Sequence, residues 1–232
     1  MNELQSAILL FIVFLYSTVC HEAAHAWVAY KLGDNTAFRG GQVSLDPIPH
    51  IKRAPVGMIV VPLIMLFTSG GLIGWGLMSV DREWARRNPV KDAWVSLAGP
   101  LANLALLLLA AMAIRIGLAQ GVFEVPEKLT MTSFAASAQG SGRGIHALAM
   151  TLGVVFSMNL LLFVFNLLPL PPLDGSNLPL FFLRGATANA YKDAIENPAL
   201  AMVAILVAVN GFGPVFDVVA VFAFKMLYSG LI

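Results

Sequence analysis

His21-Glu22-Ala23-Ala24-His25 combines residue types and a spacing that could carry a reaction. On a helix, positions four apart share a face, so both imidazoles can reach one metal ion while the glutamate lies beside that face. That is the arrangement of a zinc hydrolase. Two neutral imidazoles hold the ion, a third protein ligand completes the set, and the open position takes a water whose pKa falls toward about 7. Glu22 is placed to accept the proton of that water and deliver it to a leaving amine. Two histidines four apart also arise by chance in helical cores, satisfied by backbone carbonyls. That explanation weakens here, because the motif sits inside an apolar run from Leu4 to roughly Tyr30, where three ionisable groups need a shared reason to be buried.

Zinc requires a further ligand. His50, in "PIPHIKR", and His146, beside "SGRGI", both read as interfacial residues. Asp174, in "NLLPLPPLDGSN" (166–177), is the better candidate. There an apolar run is stopped by Pro169, Pro171 and Pro172, and the aspartate is followed by a glycine. A broken helix at membrane depth is tolerated where it is buried in protein or lines a wet cavity. Two histidines and an aspartate make a donor set suited to an open catalytic site. An ordinary β-turn would use the same residues.

Several elements must position these groups. The chain is 58% hydrophobic and 12% charged, with mean hydropathy +0.79, against about 45–50% and about 25% in soluble proteins. It reads as an all-α polytopic membrane protein of about five to six membrane segments. Apolar runs of spanning length occur at 4–30, 93–118, 145–170 and 198–228. Segment 55–80 is interrupted by Pro55, Pro62 and several glycines and suits a re-entrant segment or hairpin. The stretch 38–45, "FRGGQVSL", reads as a short β-like strand or hairpin. Residues 81–92 form a charged interfacial connection, and 119–144 a polar loop. Asn210, Gly211, Gly213 and Pro214 interrupt the last run, which implies a kink, a hinge or a pair of shorter segments.

No linker divides the chain, so 1–232 is read as a single membrane domain with a catalytic core of about 4–185 and a C-terminal segment at 198–228. A net charge of +1 without a basic stripe argues against nucleic acid as a partner. Cys20 is alone, so no internal disulfide can form. A signal peptide is rejected for the first 26 residues, since no Lys or Arg precedes the apolar run and the run is too long.

"HEAAH", "SLAGPLANL" (96–104) and "FNLLPLPPLDG" (165–175), in this order, resemble the site-2 protease family of intramembrane zinc metalloproteases. The resemblance implies one Zn²⁺ per chain with His21, His25 and Asp174 as its ligands and Glu22 as the catalytic base. It implies transmembrane-segment protein substrates, cut within or near their spans. Asn103 belongs to the matched central motif. Asn103, Asn159 and Asn166 could each orient a ligand, bind substrate backbone or tie helices together. For Gly99 and Pro100 simple packing is preferred. With no room for a PDZ or CBS domain, the chain is expected to be a minimal member.

Zinc binding also makes a topological demand. The histidines lie toward the end of the first span and Asp174 follows the end of another, so these ends must point to the same face. They do if 55–80 enters and returns. Lys31, Arg39, Lys52, Arg53, Arg82, Arg86, Arg87, Lys91, Arg184 and Lys192 then share one side, leaving mainly Lys128, Arg143 and Lys225 on the other. The positive-inside rule makes the zinc face cytoplasmic, in the plasma membrane of a prokaryote. A substrate segment must unwind before it can be cut, and stretch 38–45 is the candidate edge for holding it extended. The competing readings are a metal-ion transporter and an inert membrane-protein binder. A transporter has no special need for a glutamate beside the metal ligands, and against an inert relative every residue expected of the site is present.

Overall fold

The computed structural model describes residues 3–68 and 74–230. Helix α1 (Glu3–Leu32) carries the first motif without a break, as expected of an apolar run lacking proline and glycine. Helix α2 (Thr36–Arg39) and helix α3 (Pro47–Arg53) follow, then a π-helical turn at Val56–Val60 that runs into α4 (Val61–Thr68). After α5 (Arg82–Arg87), the long α6 (Pro89–Ala119) and α7 (Arg143–Asn166) flank a two-stranded antiparallel ribbon of β1 (Phe123–Glu124) and β2 (Ala136–Ser137). A 3-10 helix at Asp174–Phe181, α8 (Gly185–Ile195) and α9 (Pro198–Leu227) complete the chain.

Four of these helices, α1, α6, α7 and α9, are long and apolar enough to cross a bilayer. The π-turn and α4 follow α3 at a bend of 109°, and this bent pair gives a fifth candidate if counted as one span. The chain is therefore an integral membrane protein, mainly helical. Within segment 55–80, residues 69–73 lie outside the described residues. Beyond them the chain comes back to the start of the segment, for the Trp75 N–H donates to the Gly57 carbonyl at 3.0 Å.

The stretch 38–45 is not a strand. Asp34 Oδ1 accepts from the Thr36 N–H, the Arg39 and Gly40 N–H groups return to Asn35 and Thr36, and the Gln42 N–H closes on the Ala37 carbonyl. These local bonds use the backbone groups a sheet would need. Gly41, at φ +73°, takes the left-handed turn that follows. The alternation in the sequence was outweighed by an acidic cap and a pair of glycines.

Helix α6 is the central post, packed against α1, α7 and the 3-10 helix. Between helices in lipid, burying apolar surface supplies little net drive, so close packing and buried hydrogen bonds must hold the bundle. Ala93, Ser96, Ala98 and Gly99 provide the small surface, and Asn103 and Asn159, both fully buried, provide the polar ties. Helix α9 differs, with only 11% of its apolar window buried. It is one continuous helix with Pro214 inside, and Arg115 of α6 donates to the Leu227 and Ser229 carbonyls at its end.

The charged face is tied together by ion pairs. Arg86 of α5 bridges to Asp193 at 2.7 Å and Glu196 at 2.9 Å, and Lys192 of α8 pairs with Asp92 in the first turn of α6. The Lys192–Asp92 pair is buried. Removing one partner would strand the other charge, which is far costlier than losing an exposed pair.

Candidate metal centre

His21 and His25 lie in the C-terminal half of α1, and Asp174 opens the 3-10 helix after α7. The three side chains converge. His21 Nε2 and His25 Nε2 are 2.9 Å apart, and Asp174 Oδ2 is 3.0 Å from the first and 3.3 Å from the second. The C-terminal half of α1 and the turn after α7 therefore meet at one place.

The far sides of the rings settle what these atoms are. His21 Nδ1 is 2.6 Å from Asn103 Oδ1, and His25 Nδ1 is 2.6 Å from the Val95 carbonyl. With the Asn103 amide nitrogen turned to Asn159, both partners are acceptors, so each Nδ1 carries the hydrogen and donates it. In the neutral rings, the form that binds a metal, each Nε2 is then left with a lone pair. In that form two imidazole lone pairs face a carboxylate oxygen, Asp174 Oδ2, which is buried and has no assigned hydrogen-bond donor. An arrangement of three converging acceptors is repulsive alone and attractive around a cation. The donor types and edges suit one ion bonded to each atom at about 2.0–2.2 Å, the range for zinc.

The asparagines separate into roles. Asn103 fixes the His21 tautomer, and its Nδ2 donates to Asn159 Oδ1 at 2.9 Å and, more weakly, to the Ser17 carbonyl at 3.4 Å. Asn159 Nδ2 in turn donates to Ser17 Oγ and the Val155 carbonyl. A buried chain thus runs from the ligand through two asparagines back to α1. Asn166 only returns to the Leu162 carbonyl of its own helix, 2.9 Å away.

Gly99 is more than packing. A Cβ there would overlap the Nε2 atoms of both histidines, so any side chain would occupy the space between the ligands. The signal for this was present as a Gly-Pro pair inside a span. His50 is fully buried within the protein, with Nε2 donating to the Ser44 carbonyl at 2.9 Å. His146 is exposed, near Ser137 of the ribbon.

Glu22 is 6% exposed and lies within electrostatic reach of His21, His25 and Asp174. Its carboxylate is covered by segment 74–80, which passes so close that a Cβ on Gly76 would overlap it. Trp75, Leu77 and Ser79 are bonded to Gly57 and Gln42, whereas the N–H and C=O of Gly76 and Met78 have no partner among the described residues. This alternation is that of an extended strand with one edge tied and the other open. No strand is assigned at 38–45 or at 74–80, but the backbone groups of Gly76 and Met78 form an unbonded edge among the described residues.

A helical membrane bundle with a buried three-donor centre defines the class. The chain matches Peptidase family M50, the site-2 protease family, over residues 9–209 and belongs to that family. It is 36% identical over 167 residues to the protein of Bacillus subtilis (strain 168) named "Putative zinc metalloprotease YwhC", covering 72% of this chain and 65% of the relative. It is 30% identical over 208 residues to "Putative zinc metalloprotease Rip2" of Mycobacterium tuberculosis (strain H37Rv), covering 89% of this chain and 69% of the relative. The chain thus spans about two thirds of the length of these relatives. No solved structure matches it.

Proposed function

We propose that this chain is an intramembrane zinc metalloprotease that hydrolyses peptide bonds within or near the transmembrane segments of other membrane proteins. The observation that carries the reading is the cluster of three converging acceptors, His21, His25 and Asp174, with Glu22 buried beside it inside a membrane helix. Zinc held there, one per chain, would polarise a water and the scissile carbonyl. Glu22 accepts the proton of the attacking water and returns it to the leaving nitrogen. Asn103 and the Val95 carbonyl hold the two imidazoles in the tautomer that leaves Nε2 free, which fixes the donor geometry before substrate arrives.

A substrate helix has its peptide groups bonded internally and must be unwound to be cut. The open edge of 74–80 offers a row of unpaired backbone groups beside Glu22, so an extended substrate is held by strand pairing. Lys91 donates to the Leu32 carbonyl at the end of α1, and Arg86 and Lys192 pair with α8 and α6; basic residues gathered at these helix ends support a cytoplasmic orientation in the plasma membrane. A transporter has no use for Glu22 beside the ligands, nor for an extended strand covering it.

The test is zinc content and cleavage of single-span model substrates by wild type, Glu22→Gln and Asp174→Ala. Glu22→Gln should keep zinc and lose about 10²–10⁴-fold in cleavage, the usual span for a general base. Asp174→Ala should lose metal and activity together. Full cleavage by Glu22→Gln would sink the reading.

A further inference from the structure

Gln42 is fully buried, and both ends of its side-chain amide are used on one segment. Nε2 donates to the Leu77 carbonyl at 2.8 Å and Oε1 accepts from the Ser79 N–H at 2.9 Å. These two groups flank Met78. In a parallel ladder a residue of the neighbouring strand bonds in the same way, giving its N–H to the residue before and its C=O to the residue after the one it faces. The Gln42 amide therefore stands in for a strand that the protein lacks at this place.

Its own placement is well determined. The Gln42 N–H is bonded to the Ala37 carbonyl at 2.9 Å, and two residues on, the Ser44 carbonyl accepts from the buried His50. Asp46 then caps α3 through the Ile48 N–H at 2.9 Å. On the other side, Gly76 rests on Glu22 and Met78 packs in the cluster of Ala29 and Trp84. Segment 75–79 is thus gripped by Gln42 along one edge and by α1 along one face, leaving the edge formed by Gly76 and Met78 unbonded among the described residues.

We propose that Gln42 is a positioning residue for substrate: its side-chain amide holds residues 77–79 extended so that Gly76 and Met78 present their N–H and C=O groups to the substrate backbone beside Glu22. The proposal rests on the protease reading above. Gln42 touches neither the metal ligands nor, by this account, the substrate. Its loss should impair strand pairing while leaving the metal centre intact, because the imidazoles are held by Asn103 and Val95 on the opposite side.

The experiment compares full-length wild type, Gln42→Ala and the isosteric Gln42→Glu, which keeps an acceptor for Ser79 but sets a carboxylate against the Leu77 carbonyl. Zinc content and thermal unfolding are read beside KM and kcat on a single-span substrate. Inhibition is measured with an extended peptide hydroxamate and with phenanthroline, a chelator that needs no strand pairing. For both variants KM and the hydroxamate inhibition constant should rise about tenfold, the equivalent of about 1.4 kcal/mol. Zinc content, phenanthroline inhibition and, within about threefold, kcat should hold. Unchanged KM and hydroxamate inhibition would overturn the proposal, and so would zinc content and unfolding temperature falling in step with activity. If zinc-loaded wild type cuts no substrate and binds no peptide hydroxamate, the protease reading falls and this assignment with it. If wild type does both and the variants match it, only this assignment falls.

Discussion

The two sides of the metal centre are built differently. Behind the histidines lies a closed set of buried bonds, His21 to Asn103 to Asn159 to Ser17 and His25 to Val95, distributed over α1, α6 and α7. In front lies segment 74–80, an extended stretch held by one side-chain amide and one backbone bond, with its other edge open. The side that must hold an ion is over-determined, because a displaced ligand loses the metal. The side that admits a peptide in the proposed reading is tied, among the described residues, along the other edge.

Three substitutions would break or sharpen that contrast. Gly99→Ala should have the largest effect. Its methyl group would occupy the space between the two Nε2 atoms, so zinc content measured by atomic absorption should fall to background while the helices still assemble. Retention of stoichiometric zinc would mean that the imidazoles can move apart, and the rear wall is softer than its hydrogen bonds suggest. Next, Gly76→Ala should push the front segment away from Glu22. Cleavage should fall by up to about a hundredfold, the scale of a misplaced reacting group, with zinc untouched. Loss of zinc in this variant would erase the distinction between the two sides. Smallest on this scale, Asn103→Ala should weaken zinc about 10–100-fold in competition with a chelator, the usual cost of removing a ligand's supporting partner. An unchanged affinity would show that the Val95 bond to His25 alone sets the geometry.

What the sequence disclosed follows from the range of the interactions involved. The helix carrying His21, Glu22 and His25 is a local matter of periodicity and apolar length, and Asp174 announced itself by the prolines that end α7. The four long spans could be read for the same reason. The stretch 38–45 was misleading, because its alternation is real but Asp34 and two glycines close it into turns. The strand-like element lies instead at 74–80. It is defined by bonds to Gln42 and Gly57, side-chain and backbone partners that no short-range pattern reveals. The asparagines show the same limit. Asn103, Asn159 and Asn166 look alike in the sequence, and only packing separates the first two, which form a chain to His21, from the third, which bonds within its own turn. Gly99 was underrated since a small residue in a span has an adequate explanation in helix packing, and its contact with both ligands appears only when α1 is laid against α6.

One feature of the donor set bears on how the protein is made. The imidazoles come from the first helix and the carboxylate from the turn after α7, so a chain growing from its N-terminus offers only two of the three donors for most of its synthesis. A site that does not yet exist cannot bind its ion, and the free energy of binding goes into joining the parts that form it. Metal capture by this donor set would therefore be a late event, following the arrival of α6 and α7 beside α1. An ion held by these three donors would act as a fastener between the oldest and the younger parts of the chain, and the proposed activity would then wait until the bundle around it has been assembled.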